Sequence, residues 1–342
     1  MKNNQRQLKA GIIGLGVGEK HIGGYNSHNS CEVTKICDFD QLKLEEVSKR
    51  HPGIKTTTIP EEIIYDKDID VISIASFDNY HSNQIIASLD QNKHIFVEKP
   101  LCLTRKEFNA IADKLLAKKD LCLSSNLILR KTPRFIELRN RIQRNKLGNH
   151  YLLEASYDYG RIHKIVNGWR GKIPFYSVMH GGGIHLIDLM LWITGDKILS
   201  VTSTSTKIVT KSTQFRHPDC VEALLKFESG AIGHVTSNYP SVIPHGHRLS
   251  IYADKGSFHH GPLGCAYFWS RDPNSKPEHI NDSYPGSTKG DMIPSFLNYI
   301  LDRNKYPESS VQEVLDSMAV SLSIEESLLT GKEVQVKYRI ID

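Results

Sequence analysis

The first third of the chain alternates short apolar runs with stretches in which apolar residues recur at helical spacing. The pattern predicts strands at 8–13, 32–37, 54–57, 70–75, 95–97 and 121–124. It predicts helices at 19–28, 41–51, 60–66, 82–92 and 104–119. Because strands that alternate with helices form parallel βαβ units, we expect a doubly wound parallel sheet, an α/β domain over residues 1–125.

The pattern changes after residue 125, where longer alternating strands dominate. A helix at 133–146 precedes predicted strands at 149–157, 197–210, 219–228, 231–239 and 247–254. One helix, at 180–195, interrupts these strands, and helices at 291–303 and 311–329 and a strand at 333–339 follow them. Ser229-Gly230 reads as a hairpin turn and Gly331 as a helix C-cap. We therefore expect a second, α+β domain over 126–342 with a mainly antiparallel sheet.

Composition and charge are those of an ordinary globular protein. The net charge of +5 is too small and too dispersed to indicate a nucleic-acid partner. The densest basic run, 130–146, fits either a solvated helix face or a site for a substrate phosphate.

The six cysteines have no C-x-x-C spacing, so we expect free thiols in a cytoplasmic protein. The sequence shows no signal peptide and no run of about 20 apolar residues, so we expect no membrane span.

A glycine-rich turn, Gly14-Leu-Gly16-Val17-Gly18, follows the first predicted strand and precedes a helix. This context suits a dinucleotide, because Gly14 permits a tight turn and Gly16 lets a pyrophosphate approach the backbone. The usual third glycine would fall at position 19, where this chain has Glu, and Gly18 stands one residue earlier.

Asp38 ends the second strand, where a carboxylate can accept hydrogen bonds from the adenosine ribose. It would repel a 2′-phosphate, so we expect NAD, with NADP less favoured. Asp40 competes for this role, and Asp38 could instead cap the helix that starts near Gln41.

The stretch 94–100, His-Ile-Phe-Val-Glu-Lys-Pro, predicts a buried strand with Glu98 and Lys99 at its carboxyl end. Ligands bind at such strand ends in open α/β sheets, although a solvated Glu-Lys pair would also fit. In the second half, His185 and Asp188 share one face of a helix that follows three glycines. His185 is a candidate general base or a core histidine.

Residues 157–176 are rich in aromatic and polar groups, so Tyr157, Arg161 and His163 are candidates for sugar binding, and ordinary loop packing explains them about as well. His245 and His247 are spaced as metal ligands can be, but without a matching acid or cysteine pattern we expect exposed loop histidines and no metal.

Taken together, these residues resemble the Gfo/Idh/MocA family of glucose-fructose oxidoreductases and inositol dehydrogenases. The resemblance rests on Gly14-Leu-Gly, Asp38, Asn79-Tyr-His81, Glu98-Lys-Pro100, Asn126 with Arg130, Trp169-Arg170, Gly183-Ile-His185-Leu-Ile-Asp188 and Phe227-Glu-Ser-Gly230, and Ala319 to Val334 resembles the family's last helix and strand. It implies an N-terminal Rossmann domain, a C-terminal domain with an open antiparallel sheet, and a homodimer or homotetramer formed through that sheet.

The resemblance also implies an NAD(P)-dependent dehydrogenase acting on a secondary alcohol of a sugar, polyol or sugar nucleotide. Lys99 and His185 are its expected catalytic residues. The expected cofactor-binding residues are Gly14, Gly16, Val17, Gly18, Asp38, Ser76, His81, Glu98, Lys99, Asn126, Trp169 and Arg170. The expected substrate-binding residues are Lys99, Arg130, Tyr157, Arg161, His163, His185 and Asp188.

One position departs from the family pattern. Many members carry Asp four residues before the histidine, and here that residue is Gly181. Asp188, Tyr176 or His180 could compensate. The departure keeps two alternatives open: an enzyme that uses NAD transiently to cleave a glycosidic bond or epimerise a sugar, and a dinucleotide-binding sensor without catalysis.

Overall fold

The computed structural model describes residues 7–341, which divide into two compact units. The first unit consists of residues 7–128, 287–315 and 339–341. The second consists of residues 129–286 and 316–338. Residues 287–315 pack with the N-terminal part of the chain, so the units are not contiguous halves. The predicted domains 1–125 and 126–342 stay a prediction.

A six-stranded sheet forms the centre of the first unit. Its strands are β1 Leu8–Ile13, β2 Cys31–Cys37, β3 Lys55–Thr57, β4 Val71–Ile74, β5 His94–Val97 and β6 Leu123–Ser125. The strand order is β3-β2-β1-β4-β5-β6, and every pairing is parallel. The order reverses between β1 and β4, the place where doubly wound sheets bind dinucleotides. The predicted parallel sheet is confirmed.

The helices of this unit connect the strands, as their amphipathic pattern predicts. They are α1 Glu19–Asn26, α2 Gln41–Arg50, α3 Glu61–Ile64, α4 His81–Asp90 and α5 Arg105–Ala117. Thr104 begins α5 with a reciprocal capping box to Glu107. Ile12 and Phe96 of the strands are fully buried and lie in one core with Ile22 of α1.

The second unit is a nine-stranded sheet with helices on one face. Its helices are α6 Pro133–Gln143, α7 His163–Val166 and α8 Ile184–Thr194. The strands are β7 His150–Asp158, β8 Ile198–Thr206, β9 Cys220–Phe227, β10 Ile232–Asn238, β11 Gly246–Ala253, β12 Ser257–Gly261, β13 Gly264–Phe268, β14 Glu278–His279 and β15 Val334–Gln335. The order is β14-β13-β12-β11-β7-β10-β9-β8-β15. Within the described part of this second sheet, β7 and β10 are the one parallel pair, so the predicted mainly antiparallel sheet is confirmed.

Two helices complete the chain: α9 Ile293–Leu301 and α10 Val311–Thr330. Gly331 follows α10 with a φ of 65°, and its amide donates to the Ser327 carbonyl at 2.8 Å. The predicted glycine C-cap is therefore present. The strand predicted at 333–339 is shorter in the structure, where only β15 is a strand. The sequence pattern does not predict β12, β13 or β14.

One face of the second sheet is open. Along β9, Val221, Ala223 and Leu225 are buried in the core, while Glu222, Leu224 and Lys226 point away from it and are exposed. This strict alternation is typical of an antiparallel sheet that packs on one side only. The resemblance implies the same open face.

Candidate active site

The glycine-rich turn between β1 and α1 is tightly packed at Gly14 and Gly18 and open at Gly16. Gly14 has a φ of 88°, and a β-carbon there would lie 2.6 Å from the Ser76 amide nitrogen. At Gly18 a β-carbon would lie 2.9 Å from Ile12 Cγ2. A β-carbon at Gly16 would meet only Lys43 Nζ, at 3.7 Å. Gly14 and Gly18 are thus required by packing, and Gly16 leaves backbone open to a ligand, as a pyrophosphate requires.

Asp38 lies beside this turn at the end of β2. Its Oδ2 accepts a hydrogen bond from the Leu15 amide at 2.7 Å, and its Oδ1 accepts one from the Asp40 amide at 3.0 Å. Lys43 Nζ is 3.5 Å from Oδ2. Asp40, not Asp38, caps α2 by accepting from Leu42 and Lys43. The helix-cap interpretation of Asp38 is therefore wrong, and this buried carboxylate is placed to fit the ribose of a dinucleotide.

Glu98 follows β5 and belongs to a buried network. Its Oε1 accepts from Asn126 Nδ2 at 2.7 Å and from His21 Nε2 at 3.3 Å. His21 Nδ1 is 2.7 Å from Ser73 Oγ, so the ring bridges Ser73 and Glu98. Burial raises the pKa of Glu98, but the bond from His21 and the charges of Lys289 and Lys99 outweigh it, and the net pKa is lowered. Glu98 is thus not part of a solvated pair.

His81 connects two loops at the carboxyl ends of β4 and β5. Its Nδ1 is 2.7 Å from the Pro100 carbonyl oxygen, and its Nε2 is 3.1 Å from the Ser76 carbonyl oxygen. The ring is fully buried. Lys99 immediately precedes the Pro100 anchor, so His81 fixes the backbone that presents Lys99 relative to the Ser76 loop.

His185 lies in the first turn of α8, directly after a π-helical turn over Met179–Gly183. Such turns occur preferentially at functional sites. The three glycines of this turn make room for large neighbours. A β-carbon at Gly182 would be 2.5 Å from Tyr157 Cε1, and one at Gly181 would be 2.7 Å from Tyr176 Cζ. This glycine run therefore serves close packing and is not a phosphate loop.

Aromatic side chains surround His185. We call Tyr157, Tyr159, Tyr239, His245 and His247 the aromatic wall. The Tyr157 ring centre is 6.3 Å from that of His185, and the His247 ring centre is 6.2 Å from it. Tyr157 stacks on Tyr159 at 5.8 Å, and Tyr159 lies 4.3 Å from Tyr239. Burial raises the pKa of Tyr157 and Tyr239, which keeps both phenols neutral. Tyr157, Tyr159 and Tyr239 are buried, while His245 and His247 are half-buried and form the more accessible part of the wall. Sugar rings stack on aromatic faces.

Arg130 and Asp188 pair with each other inside the second unit. Arg130 Nε donates to Asp188 Oδ2 at 3.0 Å and its Nη2 donates to Oδ1 at 2.5 Å, with both side chains almost fully buried. Ser317 Oγ donates to the same carboxylate at 3.1 Å. This bidentate pair fixes α8 against the residues before α6. The predicted substrate contacts of Arg130 and Asp188 stay predictions.

The remaining predicted residues lie between β7 and α8. Arg161 and exposed His163 border α7. The Arg170 guanidinium lies 4.5 Å over the ring of Trp169, and its Nε donates to Tyr176 Oη at 3.1 Å. The structure thus brings Arg161 and Arg170 close to the aromatic wall, to which Tyr157 belongs. Their binding roles stay predictions.

The sequence analysis does not single out Tyr239 or Tyr284, and it does not predict the contacts that Tyr176 and His247 make with them. Tyr176 Oη and Tyr239 Oη are 2.9 Å apart, and His247 Nδ1 is 2.5 Å from Tyr284 Oη. His247 pairs with Tyr157 in the register of β11 and β7. Its position at the start of a strand next to the 157–159 tyrosines was the available signal, but sequence alone does not give strand pairing.

The described part of the chain contains neither a candidate metal site nor a membrane-spanning helix. Within residues 7–341, no group of three or more His, Cys, Asp or Glu side chains could hold a metal ion. No helix in the same range is long and apolar enough to cross a membrane. All six cysteines are free.

The glycine turn, Asp38 and the β1–β4 switch point define the first unit as a dinucleotide-binding domain. The comparisons agree. Residues 8–127 match the model described as "Oxidoreductase family, NAD-binding Rossmann fold". Residues 135–259 match the GFO/IDH/MocA C-terminal domain. The chain therefore belongs to the Gfo/Idh/MocA oxidoreductase family, as the sequence predicts.

Individual relatives are distant but span most of the chain. The chain is 26% identical over 306 residues to scyllo-inositol 2-dehydrogenase (NAD(+)) of Bacillus subtilis, covering 85% of this chain and 81% of that protein. It is 24% identical over 257 residues to myo-inositol 2-dehydrogenase of Thermotoga maritima, covering 73% of this chain and 74% of that protein. A solved levoglucosan dehydrogenase in complex with NADH has a TM-score of 0.85 at 20% identity, covering 98% of this chain and all of the other.

Proposed function

We propose that this chain is an NAD-dependent dehydrogenase that oxidises a secondary alcohol of a sugar, polyol or sugar nucleotide, or catalyses the reverse reduction. The observation that carries the proposal is the position of His185, a histidine set beside a wall of tyrosine and histidine rings. Such a surface suits a hydroxylated ring. The relatives named above, an inositol dehydrogenase that uses NAD(+) among them, support this substrate class.

The cofactor fits the first unit. Gly16 offers open backbone for the pyrophosphate, and Asp38 offers a carboxylate oxygen for the ribose hydroxyls. The nicotinamide of bound NAD supplies the acceptor for the hydride that leaves the carbinol carbon. Asp38 disfavours a second negative charge at the ribose, so NAD is favoured over NADP. Ser76, Val17 and Asn126 remain proposed contacts.

The chain's own residues perform the proton chemistry. His185 takes the hydroxyl proton from the alcohol as hydride leaves the carbon, and Lys99 stabilises the developing alkoxide with its charge. In the reverse reaction His185 returns the proton. The His81 bridge and the Glu98 network hold the backbone that carries Lys99, so they act through Lys99 and not on the substrate.

The two alternatives receive less support. A recycling glycosidase or epimerase and a non-catalytic sensor were kept open by Gly181. The curated relatives named above are dehydrogenases, and Lys99, His185 and the dinucleotide turn are all present in this chain. The dehydrogenase function is therefore favoured.

The test is reduction of NAD by a panel of free sugars, inositols and sugar nucleotides, followed by absorbance of the reduced nicotinamide. We expect a rise with one substrate class and a far smaller rise in the His185→Gln variant. Turnover of a glycoside or epimer without net NADH formation would instead establish the recycling alternative. Binding of NAD without either reaction would support the non-catalytic sensor.

We also propose that two copies associate through the open face of the second sheet. Leu224 and Ile232 are 62% and 57% exposed there. A cavity of about 560 Å³ opens on the same sheet, next to the β12–β13 hairpin that carries fully exposed Leu263. Light scattering should give a dimer or tetramer, and Leu224→Glu with Ile232→Glu should shift it towards monomer. A wild-type monomer would exclude the association. The six free thiols, five of them buried, support the predicted cytoplasmic location.

A further inference from the structure

One side of the second unit concentrates positive charge next to the aromatic wall. Residues 159–187 contain no aspartate or glutamate but hold Arg161, Lys164, Arg170 and Lys172. Residues 207–218, after β8, also lack acids and hold Lys207, Lys211 and Arg216. We call Arg161, Lys164 and Arg170 the basic cluster.

The members of the basic cluster lie close enough to affect one another. The pKa of Lys164 is lowered by burial and then by the charges of Arg161 and Arg170. Mutual repulsion of like charges costs free energy in the unliganded protein. An anion bound among the three side chains would remove that cost.

The loop between β8 and β9, residues 207–219, carries further positive charge. The Gln214 side-chain amide donates to the Val166 carbonyl at 2.5 Å, which places the loop against α7. In this loop the pKa of His217 is lowered by burial and then by Lys207 and Arg216. Two segments distant in sequence therefore bring cations to the same part of the unit.

The basic cluster adjoins the aromatic wall directly. The Arg161 guanidinium carbon is 5.9 Å from the Tyr159 ring centre. Tyr159 stacks on Tyr157, whose ring centre is 6.3 Å from that of His185. Arg170 is held by its bond to Tyr176 and by the Trp169 ring. Guanidinium groups ordered by aromatic faces are suited to bind phosphate or carboxylate, because their donors are already oriented.

We propose that the substrate carries an anionic group, a phosphate, diphosphate or carboxylate, that binds the basic cluster while its hydroxylated ring lies on the aromatic wall. This inference rests on the proposed function and narrows its substrate class. The inositols in the names of the relatives are uncharged polyols, so the anionic group goes beyond what they suggest.

The test is calorimetric binding to the full-length protein with matched pairs of ligands. The pairs are glucose with glucose 6-phosphate, glucose with glucuronate, glucose with UDP-glucose, and myo-inositol with its 1-phosphate. We expect one anionic member to bind at least about 10-fold more tightly than its neutral partner, the factor typical of a charge-assisted hydrogen bond. The preferred pair distinguishes phosphate, carboxylate and diphosphate. Added salt should weaken the charged ligand only.

The double variant Arg161→Gln, Lys164→Gln should abolish this preference, so that the anionic ligand binds no more tightly than its neutral partner. Lys255→Gln, Lys332→Gln removes the same charge from exposed positions elsewhere in the unit and should preserve the preference. Equal binding within every pair, or no binding of any ligand, would overturn the inference. The inference would also be overturned if the double variant weakened the binding of NAD and not that of the anionic ligand, because the cations would then bind the cofactor.

Binding and turnover separate this inference from the proposed function. NADH formation with a neutral polyol, without preference for any anionic ligand, would keep the dehydrogenase and reject the anionic substrate. Tight binding of a sugar phosphate that depends on the basic cluster, without NAD reduction, would keep the anionic ligand and reject the dehydrogenase.

Discussion

The Tyr176 phenol occupies the space that a side chain on Gly181 would need. A β-carbon at Gly181 would lie 2.7 Å from Tyr176 Cζ and closer still to its hydroxyl, and 2.9 Å from Tyr239 Oη. The two phenols are buried and hydrogen-bonded to each other. The aspartate that the family resemblance implies at this position therefore has no room here. Polar hydroxyls stand in its place, four residues before His185.

Substitution at Gly181 should therefore destabilise the second unit. Gly181→Ala is expected to lower the free energy of unfolding by about 1–3 kcal/mol, the usual cost of overpacking. In a Tyr176→Phe background the cost should fall, because the nearest atom is gone. Gly23→Ala is the control: it is helical and exposed, and a β-carbon there meets nothing within 4 Å. Denaturant unfolding of the four variants measures the difference, and equal stability of Gly181→Ala and wild type would contradict the packing argument.

Lys99 should matter for turnover and not for folding. Lys99→Ala is expected to reduce kcat by about 10²–10³, because it removes a charged donor to the developing alkoxide. Lys106→Ala, an exposed lysine of α5, serves as the control and should retain full activity. Steady-state kinetics and circular dichroism of both variants measure the two effects. Wild-type turnover in Lys99→Ala would remove the lysine from the mechanism.

Substitutions of Asp38 and Asp40 should have different effects. The first should change cofactor selectivity, and the second should change stability. Asp38→Ala should weaken NAD binding and narrow its advantage over NADP, since the carboxylate beside the Leu15 amide is lost. Asp40→Ala should cost about 0.5–2 kcal/mol of stability through the lost N-cap and leave the NAD to NADP ratio unchanged. Fluorescence titration with both dinucleotides and thermal unfolding give the two readouts. A selectivity change in Asp40→Ala instead would reassign the ribose contact.

The sequence predicts the first unit well because its signals are local. Apolar strand runs, helical periodicity and a glycine turn each lie within a short segment, and parallel βαβ order follows from alternation. The hairpin of β12 and β13 was not predicted. Its strands contain His259, His260 and two terminal glycines, so they lack the apolar alternation on which a strand prediction depends.

The candidate site was only partly predictable for a different reason. His185 and Tyr157 were singled out by local composition. Tyr239 and Tyr284 join them through strand pairing and loop packing across long sequence separations, which no spacing rule contains. His247 was weighed as a metal ligand or an exposed loop histidine, and the structure places it in the aromatic wall, hydrogen-bonded to Tyr284.

The Glu98 network gives a stability prediction whose sign depends on pH. The folded-state pKa of Glu98 is lowered from its ordinary value of 4.5: burial raises the pKa, but the His21 hydrogen bond and the Lys289 and Lys99 charges prevail. A carboxyl whose pKa is lowered by folding stabilises the fold above its unfolded-state pKa. That contribution is lost as the pH falls through the folded-state value.

Glu98→Gln should therefore be destabilising at neutral pH, and its difference from wild type should shrink once the pH falls below about 4.5. Urea unfolding at pH 7 and at pH 4 measures the change. Glu32→Gln, an exposed acid on β2, is the matched control and should have little effect on stability at either pH. If Glu98→Gln lost the same free energy at both pH values, packing and not charge would explain why the residue is buried between His21 and Asn126.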